Sequence, residues 1–487
     1  MEVPETMECR NYIGGEWTDL GQVEMREIRK PANTDEIVGR CPMAQREHVQ
    51  QAIDAAAGAF SAWRALTYQD RAKVIEGASD VLEAKADEIG RILTREEGKT
   101  FSEARGEVIH GADLLRSYAS LARQAWGGVF SPAKPDTFLY TLREPLGVVS
   151  TISPWNYPIT IPCRKIPAAL LGGNTVIFKP SQLTPFTGWH MAKAFEEAGL
   201  PSGVLNMVTG SGAVVGDEMV RNPTIRAISF TGSNEVGREI AGVAAGHGAK
   251  AQLELGGKNP LIILKDAELE RATDLAMDGA MKGTGQKCTA TSRVIVEREI
   301  AADFVEMLLE KVKRITTGDG MNPNTYMGPL VSETQRQTVL EYIRIGKEEG
   351  ARLLCGGGIP SGAEYDKGWF VDATVFDNVD PGMRIAREEI FGPVLSVLVA
   401  DDFDEAIDIA NSVDYGLSAA ICTRDVERIM DFVNRIEAGV IRVNHHTSST
   451  DTHVPFGGVK GSSSGFREHG IMAVEFFTQV KTVYIQP

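Results

Sequence analysis

The sequence predicts an α/β fold: two doubly wound α/β domains, each a mainly parallel sheet between helices, plus a small β element. Three observations carry this. Short β-branched runs alternate with segments of helical period between residues 145 and 255. After Gly256-Gly257 a second series of the same kind begins. The last stretch, 477–485, alternates apolar and polar side chains as a half-buried strand does.

Taken in order, the turn chemistry of Ile13-Gly14-Gly15-Glu16-Trp17 predicts short strands within the first 30 residues. Helical spacing follows. Val49, Ile53, Ala56, Ala57 and Phe60 define a helix over 46–63. Val74, Ile75, Ala78, Val81, Leu82, Ile89, Ile92 and Leu93 define one long helix over 71–94, and a third spans 102–123. The first α/β series has strands at 145–152, 175–178, 204–208, 225–230 and 251–255, with helices at 159–171, 185–198, 212–221 and 235–245. Pro185 suits the first helical position, where its missing N–H costs nothing, and Thr184 is placed to cap that helix. The second series has strands at 260–264, 292–296, 394–399, 417–422 and 439–443, with helices at 268–281, 302–315, 333–349, 404–411 and 426–436. A terminal strand at 477–485 carries unpaired edge groups and is expected to pair outside its own domain.

Composition sets bounds. A chain of 487 residues allows about three domains. It can bury large cores without disulfides or structural metal. Asp and Glu number 66 against 50 Lys and Arg, a net charge of −16, which argues against a chain-wide footprint for nucleic acid or an anionic membrane. No run of about 18 uncharged apolar residues predicts a membrane span. The acidic start, MEVPETMECR, lacks the apolar core of a signal peptide. Cys9, Cys41, Cys163, Cys288, Cys355 and Cys422 are scattered, without a C-x-x-C pair, so reduced thiols and a cytoplasmic location are expected. His445, His446 and His453 form the one histidine cluster, but no carboxylate spacing supports a metal there, and none is expected.

Ligands of doubly wound sheets bind at the carboxyl ends of the strands. Those ends carry Trp155-Asn156, Lys179-Pro180-Ser181-Gln182, Thr231-Gly232-Ser233 through Gly237, and Glu254-Leu255-Gly256-Gly257-Lys258, all expected to face one crevice. Gly232 to Gly237 is a strand–glycine–helix junction that suits a phosphate, or equally a tight packing turn. Cys288 lies among glycines and polar residues, Gly285-Gln286-Lys287-Cys288-Thr289-Ala290, rather than in an apolar core pattern. As a nucleophile it needs a base and an oxyanion donor, and Glu254 and Asn156 are the strand-end candidates.

With those residues on the page, the chain resembles the aldehyde dehydrogenase superfamily over nearly its whole length. The motifs that carry the resemblance are Pro154-Trp155-Asn156, Phe178-Lys179-Pro180, Phe230-Thr231-Gly232-Ser233, Leu253-Glu254-Leu255-Gly256-Gly257-Lys258, Gly285-Gln286-Lys287-Cys288, Glu388-Glu389-Ile390-Phe391-Gly392-Pro393 and Pro455-Phe456-Gly457-Gly458. The resemblance implies a non-acylating NAD(P)-dependent enzyme. Cys288 would attack the aldehyde carbonyl. The Asn156 amide and the Cys288 N–H would hold the oxyanion, and Glu254 would activate the hydrolytic water. Trp155, Lys179, Gln182, Gly232, Ser233, Gly237, Glu389 and Phe391 would bind the cofactor. Of these, Glu389 would take the nicotinamide ribose with Phe391 beside it, Lys179 the adenosine ribose and Ser233 the pyrophosphate. It also implies a cofactor-binding domain of 1–122 with 145–255, a catalytic domain of 256–455, and an oligomerisation element of 123–144 with 470–487, hence a homodimer or homotetramer.

Substrate and cofactor choice rest on single positions. An arginine matching Arg164 resembles that of succinate-semialdehyde-type relatives, where it holds a remote carboxylate, and a guanidinium fork suits that group. The stretches 288–293 and 456–464 resemble 2,5-dioxopentanoate (α-ketoglutarate semialdehyde) dehydrogenases. That substrate is expected first and succinate semialdehyde second. A thioesterase or a non-redox binding protein on the same fold are the remaining alternatives. Where NAD-preferring members carry Glu, this chain has Gln182, which removes a charge that would repel a 2′-phosphate, so the expectation leans to NADP over NAD.

Overall fold

The computed structural model describes residues 6–124, 126–448 and 450–486. Two seven-stranded sheets dominate. The first, in spatial order, joins strands Lys250–Glu254, Ile225–Thr231, Val148–Ile152, Thr175–Lys179 and Leu205–Met207 in parallel and closes with the antiparallel hairpin Asn11–Ile13 and Glu16–Thr18. The second orders Arg352–Cys355, Thr374–Asp377, Val394–Ala400, Thr291–Glu297, Asn259–Ile263, Ser418–Cys422 and Val440–Val443, parallel except for its first strand. The central strands are buried along their whole length, as sheets covered by helices on both faces require.

Both predicted strand series are present, and four local readings are corrected. The single helix over 71–94 is two helices, Tyr68–Ala84 and Ala86–Glu97, because the chain leaves helical geometry at Lys85 (φ −102°, ψ 13°). Apolar spacing continues across the break, which hid it. The strand over 145–152 is the end of one strand, Phe138–Pro145, and the whole of another, Val148–Ile152, separated by Leu146 and by Gly147 at φ 133°. The helix over 212–221 opens as a wide turn, Gly212–Gly216, before Asp217–Arg221. Thr184 does not cap its helix with its side chain. The capping acceptor is the carboxylate of Glu96, from a distant helix, which takes the Phe186 and Thr187 N–H groups at 3.0 and 2.8 Å.

The short strands expected in the first 30 residues include Met7–Glu8 and Met25–Lys30 beside the hairpin at 11–18, whereas Asn33–Pro42 was not anticipated. Met25–Lys30 and Asn33–Pro42 form a hairpin, and Met7–Glu8 adds to it in parallel. A further three-stranded sheet joins Val129–Phe130, Phe138–Pro145 and Thr478–Ile485, the last two antiparallel over their full length. Its Val129, Phe130, Phe138, Val480, Tyr484 and Ile485 side chains are exposed. The predicted terminal strand thus pairs far from its sequence neighbours, after a short helix, Gly470–Phe476.

Candidate active site

The carboxyl ends of the first sheet meet the amino ends of the second around the loop that carries Cys288. Helix Leu269–Met281 ends just before it, and Gly283, Thr284 and Gly285 all take left-handed backbone (φ 63°, 56° and 68°). Only glycine serves at 285, where a Cβ would also lie 2.1 Å from the Gly392 carbonyl oxygen. Thr284 bears strain of about 1–3 kcal/mol in that region and is held by donating to the Gly328 carbonyl at 3.0 Å. Asn259 then pins the loop beyond the turn, its amide donating to the carbonyls of Cys288 (2.8 Å) and Ala290 (2.9 Å). Cys288 itself is half-buried. Burial pushes its thiol up to about 12, and Arg164 is the largest charge opposing that rise.

Asn156 follows strand Val148–Ile152 and reaches this loop directly. Its side-chain amide donates to the Gln286 carbonyl at 3.0 Å, which fixes one hydrogen and leaves the other to point elsewhere. Gln286 is tied in turn by the Val331 N–H at 3.0 Å.

Glu254 ends strand Lys250–Glu254 and is buried. Burial first, then the nearby Glu468 carboxylate, raise it well above the usual carboxylate range. One oxygen accepts from the Ser463 hydroxyl at 2.8 Å, and the other has no partner. Glu468 is held by Lys165 at 2.5 Å, inside the fold. Ser463, Glu468 and Lys165 were not singled out from sequence, and only the position of Ser463 within the 456–464 stretch hinted at one of them.

Three cavities surround these groups. The first, about 200 Å³, is lined by Trp155, Asn156, Gly232, Ser233, Gly256, Cys288, Glu389 and Phe391, among others. Trp155 and Phe391 meet edge to face at 5.4 Å. Phe391 sits in left-handed backbone (φ 57°), and Gln335 holds its carbonyl at 2.8 Å. Glu389 accepts from the Gly257 N–H at 3.0 Å, while burial pushes its carboxyl up to about 7. The second, about 530 Å³, combines Lys179 with the apolar walls Ile152, Val220, Phe230, Val236 and Ile240. The third, about 450 Å³, also opens on Cys288 and is lined by Arg164, Ile161, His110, His445, His446 and Phe456, among others. There Arg164 stacks on Phe456 at 4.4 Å.

Most of the residues read from sequence therefore converge, and three stand apart. Gln182 and Gly237 line none of these cavities. Gly237 instead serves packing, since a Cβ there would meet Leu255 at 2.5 Å. Glu254 is buried behind the walls rather than lining them. The histidine cluster is in part a cavity wall: His445 and His446 line the same space as Cys288, and His453 does not.

A nicotinamide dinucleotide fits the first two cavities by their donor set. The buried Lys179 ammonium, pulled down to about 8 by burial, has one hydrogen-bond partner among the described residues, the Pro180 carbonyl at 3.3 Å, so donors remain for a ribose or phosphate. Thr231 Oγ1 is buried without a partner. Ser233 caps helix Asn234–Gly246, whose first turn faces the crevice. Between these polar points stand the apolar side chains of Ile152, Val220, Phe230, Val236 and Ile240, which suit an aromatic base.

Known proteins agree with this geometry. The Aldehyde dehydrogenase family profile matches residues 17–483. The chain is similar to the alpha-ketoglutaric semialdehyde dehydrogenase of Bacillus subtilis, 45% identical over 98% of both chains. It is similar to the 2,5-dioxopentanoate dehydrogenase of Saccharolobus solfataricus, 42% identical over 98% of this chain and 99% of that one. Among solved structures, betaine aldehyde dehydrogenase from Staphylococcus aureus in complex with NAD+ superposes with a TM-score of 0.96 at 34% identity, covering 98% and 95% of the two chains. Matched along nearly its full length by profile, sequence and fold, the chain belongs to the aldehyde dehydrogenase family.

Proposed function

We propose that the protein oxidises a semialdehyde acid, 2,5-dioxopentanoate, to the dicarboxylic acid with NAD(P) as oxidant. The observation that carries this reading is a guanidinium, Arg164, in the same cavity as the Cys288 thiol. One end of that cavity thus holds a nucleophile and the wall holds a carboxylate receptor. The names of the relatives from Bacillus subtilis and Saccharolobus solfataricus support the same substrate.

The roles follow from the chemistry of each group. Cys288 Sγ attacks the aldehyde carbon and forms a thiohemiacetal. The free hydrogen of the Asn156 amide and the Cys288 N–H stabilise the oxyanion. Trp155, Glu389 and Phe391 would hold the nicotinamide, which would supply a hydride acceptor. Cys288 then carries a thioester. Glu254, whose raised affinity for protons makes it a stronger base than an ordinary carboxylate, turns from Ser463 toward the cavity and takes a proton from water. Water attack releases the acid and restores the thiol.

Two finer points belong to the same proposal. NADP serves at least as well as NAD; the support is the neutral Gln182 three residues after Lys179, which carries no charge to repel a 2′-phosphate. The exposed apolar face on the sheet of Phe138–Pro145 and Thr478–Ile485 is covered by a second copy, giving a homodimer or homotetramer. The six unpaired cysteines fit a reducing, cytoplasmic setting.

Steady-state kinetics over 2,5-dioxopentanoate, succinate semialdehyde and propanal, each with NAD+ and NADP+, test the reading. The highest kcat/KM is expected for 2,5-dioxopentanoate, with none for Cys288→Ala. Equal values for propanal would remove the substrate assignment.

A further inference from the structure

We propose that the buried Lys99–Glu107 ion pair is a positioning device for the oxyanion site: it sets the backbone on which the Asn156 amide is mounted. The pair stands outside every motif that identified the site, and it rests on the reading of Asn156 given above.

Lys99 lies on a tight junction. Helix Ala86–Glu97 ends at Gly98 in left-handed backbone (φ 106°), and helix Phe101–Ser120 starts at once with Thr100 and Glu103 in reciprocal capping bonds. Lys99 has therefore little freedom at its base. Its ammonium, 5% exposed, donates to Glu107 Oε2 at 2.7 Å and to the backbone carbonyl of Asn156 at 2.6 Å, and lies 4.2 Å from the centre of the Tyr157 ring. Glu107, 1% exposed, uses its other oxygen to accept the N–H groups of Ile159 (2.9 Å) and Thr160 (3.2 Å). One side chain from the junction and one from the helix that follows it thus fix the chain from Asn156 to Thr160 at both ends. Helix Thr160–Leu171, which carries Arg164, starts from the same clamp.

The electrostatics support a fixed charge rather than a mobile proton. Burial opposes the ammonium, but Glu107 and Glu97 outweigh it and hold Lys99 above its ordinary range. A buried ion pair is a poor source of net stability, since apolar replacements of the same volume are often neutral or better. What such a pair supplies here is geometry. An oxyanion donor is effective only when its hydrogen already points at the place where charge develops. Glu107 and Lys99 line the Cys288 cavity but touch no reacting atom in this reading, so they act through Asn156.

The experiment is a double-mutant cycle on first-turnover rates. The paired substitution Lys99→Met/Glu107→Gln avoids leaving one buried charge alone. It is combined with Asn156→Ala, and formation of reduced cofactor is followed in a stopped-flow instrument, with cofactor affinity and melting temperature measured alongside. The pair substitution is expected to slow the first turnover by about tenfold or more, part of the roughly 10²–10³-fold that one oxyanion donor supplies. Cofactor affinity should stay within about twofold. In the Asn156→Ala background the same substitution should cost less than about threefold, because the group it positions is gone. Losses that multiply in full would overturn the positioning role while leaving Asn156 in place. An Asn156→Ala enzyme with an unchanged first turnover would instead remove the oxyanion reading itself, and this inference with it. If the paired variant does not fold, Glu107→Gln alone, which keeps an acceptor for the Ile159 and Thr160 N–H groups, carries the same cycle with the same outcomes.

Discussion

Replacing Arg164 by Met separates substrate recognition from chemistry. The site is suited to the change. Methionine keeps the stem that packs on Phe456, and the Arg164 carbonyl stays anchored by the Tyr118 hydroxyl at 2.7 Å. Glu468 is not orphaned, because Lys165 holds it at 2.5 Å while Arg164 stands 3.8 Å away. The guanidinium has donors to spare: its Nε has no partner. At 9% exposure it is little screened by salt. Losing one charge-assisted hydrogen bond to a substrate carboxylate costs about 1.5–3 kcal/mol, or roughly one to two decades in kcat/KM. A second effect is common to all substrates. Arg164 is the largest charge opposing the rise of the Cys288 thiol, so the variant makes thiolate scarcer for every aldehyde. The measurement is therefore a ratio: kcat/KM for 2,5-dioxopentanoate over that for pentanal, in wild type and Arg164→Met. A fall in that ratio of about 10- to 100-fold is expected. A constant ratio, with both substrates losing equally, would refute carboxylate recognition and leave Arg164 as a partner of the thiol alone.

Three further outcomes are expected. Glu254→Gln should release one equivalent of reduced cofactor and then stall, with steady-state turnover down about 10²–10⁴-fold; because the acid form of Glu254 persists to unusually high pH, wild-type deacylation should climb with pH, and a profile flat from pH 6 to 9 would exclude it as the base. Deleting Thr478–Ile485 strips Phe138–Pro145 of its partner and should give monomer or aggregate by size exclusion, so an active, monodisperse oligomer would contradict the assembly proposal. Glu96, pushed up to about 8 by burial, has a folded pKa above its unfolded one, so its contribution is full below about pH 4.5 and is lost as pH rises through 8. Glu96→Gln removes the titrating group and keeps one of the two acceptor oxygens, so the variant should melt lower throughout yet flatten the loss of melting temperature between pH 6 and 9, whereas parallel curves for variant and wild type would place the titration elsewhere.

What could be read from sequence was whatever repeats or carries a local signature. The parallel strands were legible because burial on both faces leaves uniform runs such as Thr175–Lys179. Asn156 was legible because its motif follows a strand, and Cys288 and Glu389 because each sits in a short local motif. The hairpin of Met25–Lys30 and Asn33–Pro42 was not, since its mixed, partly exposed residues show no clean alternation. The break at Lys85 was hidden by apolar spacing that runs straight through it. Thr184 was a sound cap by local rules and lost to Glu96, which no window of neighbouring residues contains. The same limit concealed Lys99, Glu107, Lys165 and Glu468, whose partners lie 57, 52, 303 and 303 positions away.

The pairing of Lys165 with Glu468, and of Glu254 with Ser463, has a kinetic consequence. Contacts between residues so far apart in the chain form late, because each closes a long loop before it gains anything in return. The strand pairs within either sheet close shorter loops than these, so each sheet can form while the centre between them is still unmade. Refolding from denaturant should thus restore helix and sheet signals, and much of the tryptophan burial, ahead of turnover. Recovered activity is then the strictest readout of the native state, since it alone requires the last long loops to have closed.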